Sequence, residues 1–210
     1  MPFPPLIHAR PAAVADISKM LLRVYCIPAW QMRDVPKASA FIAFTDETGW
    51  LGHGSSKYIK DKADFGLDDT ITRLAPIAPL QAISVPCRRL PASRLVVANV
   101  YDPNKLTSNQ SFAQAFNNAC LEVARHGGKS VTFIDPTRDW NYQEWRVEPT
   151  DAARAIITNV LANRGTIRTA NIIVPEAESK EPYVSLTERV FDQRWRLTSA
   201  DPAVRDALGF

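Results

Sequence analysis

The sequence predicts an α/β fold: a three-layer α/β/α sandwich built on a mixed, mainly parallel sheet. Three observations within residues 94–175 carry this. First, three short apolar runs, Leu95 to Val100, Val131 to Ile134 and Asn171 to Val174, are rich in branched residues and show little polar alternation. Strands covered on both faces read this way, and such strands are usually parallel. Second, Phe112, Ala115, Phe116, Ala119, Cys120 and Val123 lie between the first two runs at spacings of three and four, one continuous helical stripe. Third, Pro149, Thr150 and Asp151 open another helix before the last run, with an inner face of Ala153, Ile156, Ile157, Val160 and Leu161. Strand, helix, strand, helix, strand is the order of right-handed crossovers on a sheet.

From the start of the chain, residues 1–6 are proline-rich and read as a loose arm. Val14, Ile17, Met20, Leu21 and Val24 fall at helical spacing behind Pro11, which predicts a helix. Residues 24–32, interrupted by Pro28, read as an irregular or edge strand. Asp34, Val35 and Pro36 make a turn, and residues 40–44 form a short buried strand. A loop over 45–56 leads to a short helix over 57–62. Leu67, Ile71 and Leu74 mark another short helix that Pro76 and Pro79 end, and residues 81–85 give a further strand. Ser111 and Gln114 suit a capping box near the start of the long helix, and Gly127 with Gly128 supplies its left-handed stop. Beyond Val174, residues 175–182 read as a polar surface connection, followed by a helix over 185–195 and a short one over 201–208. The expected organisation is an arm and helix (1–30), an α/β domain (31–175) and a helical tail (176–210) that caps the domain or meets a protein partner.

A length of 210 residues, 46% hydrophobic and 22% charged, suits one globular domain whose core needs no metal or disulfide. The balance of 25 basic to 22 acidic residues, net +3, is too slight to argue for a nucleic-acid partner. Three cysteines, Cys26, Cys87 and Cys120, are far apart and make no metal-ligand spacing. They read as buried thiols in a reducing compartment, hence a cytoplasmic protein. Lys19 and Arg23 break the apolar stretch over 17–26, and neither a leader nor a spanning segment is read, so no membrane is expected. There is no nucleophile elbow, Walker loop, dinucleotide glycine motif or zinc signature, and no cofactor is expected.

Two loops hold the chemistry. Ligands on α/β sheets bind outside the carboxyl ends of strands, and both loops leave such ends. Residues 45–56 read Thr-Asp-Glu-Thr-Gly-Trp-Leu-Gly-His-Gly-Ser-Ser, with three glycines and four hydroxyl residues between a strand and a helix. Either these turn backbone amides towards an anion, or they are a solvent-exposed connection. His53, flanked by Gly52 and Gly54, is a site candidate, whereas His126 falls in the last turn of a helix, where a cation suits the carbonyl ends. Residues 135–147 hold Trp140, Tyr142 and Trp145 with Arg138 and Arg146 between and around them. The rings either stack on a base or sugar or fold down as a lid on the core.

The order of these parts resembles a macro domain, the ADP-ribose-binding fold, over about residues 31–175. Met32-Arg33-Asp34-Val35-Pro36 stands where that family has its Gly-Asp-Ile-Thr turn. Residues 40–44 match the strand before its asparagines, and Trp50 to Ser56 falls where its glycine cluster belongs. Residues 97–103 look like its strand leading to Gly-Pro, and 129–134 like the strand leading to its second phosphate loop. The resemblance implies a macro-like fold that binds ADP-ribose or a related nucleotide between the two loops. It implies Asp34 for the adenine amine; Gly52, Gly54 and Ser55 for phosphate; and Trp140 or Tyr142 for stacking on a ribose or base. Thr45-Asp46-Glu47-Thr48 replaces the family's Asn-Ala-Ala-Asn, so Thr45 and Thr48 stand where an asparagine orients the distal ribose, and the second loop has no glycine. Two other readings remain: a ligand-free interaction module, and a hydrolase of ADP-ribosyl or nucleotide-sugar bonds using Asp46, Glu47 or His53.

Overall fold

Strand β3 (Ala38–Thr45), an inner strand with parallel neighbours on both sides, is the key to the layering. The computed structural model describes residues 9–17, 20–52, 54–101, 108–136, 149–175 and 177–192. In chain order these form β1 (Ala13–Ile17), β2 (Met20–Tyr25), a 3-10 helix η1 (Ala29–Asp34), β3, α1 (Gly54–Lys62), α2 (Leu67–Leu74), β4 (Ala82–Pro86) and β5 (Ala92–Asn99). Then come α3 (Ser108–Arg125), β6 (Ser130–Ile134), α4 (Pro149–Ala162), β7 (Thr169–Ile173) and α5 (Ala177–Asp192). The seven strands make one sheet in the order β1-β2-β7-β6-β3-β5-β4. Its five inner strands run parallel, and β1 and β4 close the two edges antiparallel. The expected mixed, mainly parallel α/β/α sandwich is what forms.

Strand periodicity divides the core in two. Ala40, Ile42 and Phe44 of β3 face one side, with Val96, Ala98 and Phe133, under the apolar stripe of α3, the inner face of α4 and Tyr183 of α5. Phe41 and Ala43 face the other, with Leu95, Val97, Ile134 and Ile173, under η1, α1 and α2 through Met32, Ile59 and Ile71. Six residues of the α3 stripe, from Phe112 to Val123, are all buried, as their spacing requires. Gly127 ends α3 at φ 72°, the left-handed stop expected there. Cys87 and Cys120 are buried free thiols. Burial, then the Asp64 carboxylate, pushes Cys87 up to about 11, and burial pushes Cys120 up to about 12, so neither is a nucleophile near neutral pH.

Three local expectations are corrected. The helix expected behind Pro11 is a β-hairpin, β1 with β2, and β2 joins the sheet beside β7. Met20, Leu22 and Val24 are buried on one face of β2, so the true period is two. The capping box at Ser111 does not form the helix start: α3 begins at Ser108, and Ser111 is buried inside it. The polar connection expected over 175–182 is largely helical, because α5 starts at Ala177 and carries Pro182 within it. Tyr183 and Thr187 are fully buried on α5, which packs on α4 and β1. That packing overrides the helix-breaking tendency of Pro182. The helix expected over 201–208 lies outside the described residues.

Candidate functional site

Parallel strands deliver their following loops to one edge of the sheet. Here Thr45, Asn99, Asp135 and Val174 end or immediately follow β3, β5, β6 and β7 at that edge. Thr45, Asn99 and Asp135 are buried polar residues, and each organises backbone there.

Thr45 is the last residue of β3. Its Oγ1 donates to the Trp50 carbonyl at 2.8 Å, and its own carbonyl accepts from Val100 N at 2.9 Å. The loop between is tied by Asp46. One carboxylate oxygen, Oδ1, accepts from Thr48 N at 2.9 Å and from Thr48 Oγ1 at 2.6 Å. Thr48 Oγ1 in turn accepts from Trp50 N at 3.2 Å. This is the turn that aspartate and threonine side chains make with backbone two residues on. Gly49 lies within it at φ 70°, and a Cβ there would fall 2.6 Å from Ile71 Cγ2. Only glycine meets both demands. Thr45 and Thr48 therefore spend their hydroxyl protons inside the loop, on Trp50 and Asp46.

Leu51 is buried, and α1 begins at Gly54 with Ser55 and Ser56 buried in its first turn. Gly52, Gly54 and Ser55 thus come together with Thr45 and Thr48 on one strand-to-helix connection. Asp34 lies apart from it in the chain's path. It is half-buried at the end of η1, and its carbonyl accepts from Ala9 N at 2.7 Å. Its neighbour Arg33 donates to the carbonyl of Lys62 at 3.0 Å, the opposite end of α1 from Ser55. His53, Trp140 and Tyr142 lie outside the described residues, as do Arg138, Trp145 and Arg146.

The edge also contains residues that the sequence did not single out. Asn99 is fully buried, and its Nδ2 donates to the carbonyls of Ile77 at 2.8 Å and Ala78 at 3.3 Å. Its Oδ1 accepts from Tyr101 N at 2.8 Å. A polar residue closing a run of apolar ones was the available signal. Asp135, at the end of β6, donates its N–H to the Ile173 carbonyl at 2.8 Å. Burial, and next the Asp135 carboxylate, push the Tyr183 hydroxyl well above its usual range, so α5 reaches the root of the 135–147 loop.

The sheet order, the two helical layers and the loop-bearing edge define an α/β domain whose connecting loops gather at the carboxyl ends of parallel strands. Among solved structures, this arrangement is that of the macrodomains. The Oceanobacillus iheyensis macrodomain with ADP matches at TM-score 0.69 and 10% identity, over 84% of this chain and 95% of that one. The macro domain of ganglioside induced differentiation associated protein 2 matches at TM-score 0.66 and 16% identity, over 85% and 87%. The Trypanosoma brucei macrodomain in complex with ADP-ribose matches at TM-score 0.62 and 12% identity, over 80% and 68%. No protein-family model and no curated protein matches the sequence. The chain has the macrodomain fold at very low identity, so the likeness lives in the backbone and the site must be argued residue by residue.

Proposed function

We propose that the chain binds ADP-ribose or a related nucleotide at the carboxyl edge of its sheet, between residues 45–56 and 135–147. The observation that supports this is the likeness to macrodomains solved with ADP and with ADP-ribose. In this reading Gly52, Gly54 and Ser55 offer backbone amides to phosphate, Asp34 accepts from the adenine amine, and Trp140 or Tyr142 stacks on a ring. Asp34→Ala is expected to weaken ADP-ribose binding by about 1–3 kcal/mol, the range for losing a charged hydrogen-bond partner, with an unchanged thermal midpoint. Calorimetry on both proteins measures it. A wild type that takes up no ADP-ribose at millimolar concentration removes this reading and leaves the interaction module.

Binding without turnover is the expected activity. Neither Thr45 nor Thr48 has the donor-plus-acceptor reach of an asparagine amide, and both hydroxyl protons are already used within the loop. Asp46 holds Thr48 through its Oδ1. Losing one well-placed polar contact in an active site costs about 100-fold or more in rate. Release of ADP-ribose from a mono-ADP-ribosylated protein is therefore expected near the enzyme-free rate. Robust release that vanishes in Asp46→Asn, Glu47→Gln or His53→Ala would put the hydrolase first.

The free thiols suit the reducing cytoplasm as the place of action. Among the described residues no helix is long and apolar enough to cross a membrane.

A further inference from the structure

Trp50 is 52% exposed although it sits in a loop tied by four hydrogen bonds from or to the side chains of Thr45, Asp46 and Thr48. Its N–H donates to Thr48 Oγ1 and its carbonyl accepts from Thr45 Oγ1, so the backbone on both sides of its Cα is fixed by side chains. Its indole lies directly over Gly52: a Cβ there would fall 2.1 Å from Cζ2 and 2.2 Å from Cε2. Glycine at 52 is what lets the ring lie close over the chain. The adjacent strand repeats the device. Asn99 fixes Tyr101 N, and Tyr101 is 55% exposed. β3 and β5 pair directly, Thr45 opposite Asn99, so two fixed aromatic residues leave neighbouring strand ends.

A ring whose backbone is held in place loses little further entropy when a ligand covers its exposed part, and that burial is favourable. We propose that Trp50 is a ligand-contacting residue, the outward face of its indole taking the base or a ribose ring of the nucleotide bound at this edge. This rests on the reading of the edge as a nucleotide site. It adds a stacking platform on the first loop, separate from Trp140 and Tyr142 on the second. The hydroxyls of Thr45 and Thr48 then act as positioning groups for the ring and need not touch ligand.

The test is calorimetric titration of ADP-ribose into the full chain and into Trp50→Ala, Trp50→Phe and Gly52→Ala, with circular dichroism and thermal midpoints for each. Trp50→Ala is expected to lose tenfold or more in affinity, on the order of what one base–aromatic stack supplies. Trp50→Phe keeps a ring and is expected to lose roughly threefold. Gly52→Ala keeps the indole but displaces it, and is expected to resemble Trp50→Ala. Wild-type binding that Trp50→Ala and Gly52→Ala leave unchanged overturns the platform while the nucleotide reading stands. Absence of binding by the wild type overturns both. Equal loss in Trp50→Ala and Trp50→Phe, with the fold intact, overturns stacking as the contact.

Discussion

Phe116→Ala is expected to lower stability by about 3–5 kcal/mol, the range for a large ring leaving a packed core. The Phe116 ring is 1% exposed and sits 5.3 Å from Phe133 in a T-shaped pair, 5.8 Å from Phe112 and 6.5 Å from Phe44. These rings join α3 to β3 and β6, so no single element can move to fill the space. Against a typical total of about 5–15 kcal/mol, the loss takes a large share of what holds the fold. Chemical denaturation followed by far-ultraviolet circular dichroism measures it. A midpoint equal to that of the wild type would mean that the other face of α3 meets the sheet.

Asn99→Ala is expected to cost about 1–3 kcal/mol, because it removes the side-chain donor from the buried Ile77 carbonyl, whereas the Ala78 carbonyl keeps the Gln81 N–H and exposed Tyr101 can turn to water. The amide donates to the Ile77 carbonyl in a buried bond and to the Ala78 carbonyl in a part-buried one, and it accepts from Tyr101 N. Asn99→Asp is the sharper variant. Its carboxylate keeps the acceptor for Tyr101 but faces two carbonyls, and only the protonated acid can donate to one of them. Burial and those carbonyls raise the folded-state pKa of the introduced acid, so its stability is highest at low pH. That stability is lost as pH rises above about 4, where the unfolded carboxyl ionises. Denaturation midpoints of Asn99→Asp across this range, compared with Asn99→Ala, decide it. A midpoint that stays level or rises with pH relative to Asn99→Ala would show that the amide is not facing those carbonyls.

The buried half of the sheet was legible because β3, β5, β6 and β7 are covered on both faces, and unbroken apolar runs such as Leu95 to Ala98 have few other readings. The hairpin was not, since Val14, Ile17, Met20, Leu21 and Val24 satisfy a helical spacing as well as Met20, Leu22 and Val24 satisfy a strand. The choice is made by pairing with β7, where Leu22 meets Ala170, far off in the chain. Of the candidate site, the loop over 45–56 could be placed because glycines and hydroxyls cluster between strand and helix. The direction of those hydroxyls could not. Nothing in Thr-Asp-Glu-Thr says that Asp46 turns back on Thr48. Asp34 was reached only through the resemblance to the macro-domain turn, whereas its surroundings are set by η1, the helix that fills the long connection from β2 to β3.

The place of β3 in the sheet also governs the order in which the chain can assemble. As the polypeptide emerges from its amino terminus, β1 and β2 can pair as soon as both exist, and β4 with β5 likewise. Every other partnership waits. β3 needs β5 on one side and β6 on the other, and Leu21 of β2 has no parallel neighbour until Thr169 arrives. The first hairpin therefore has no place in the sheet until β7 has been made. A topology so dominated by distant partners closes large loops before it gains contacts, which points to refolding in milliseconds to seconds, and not microseconds.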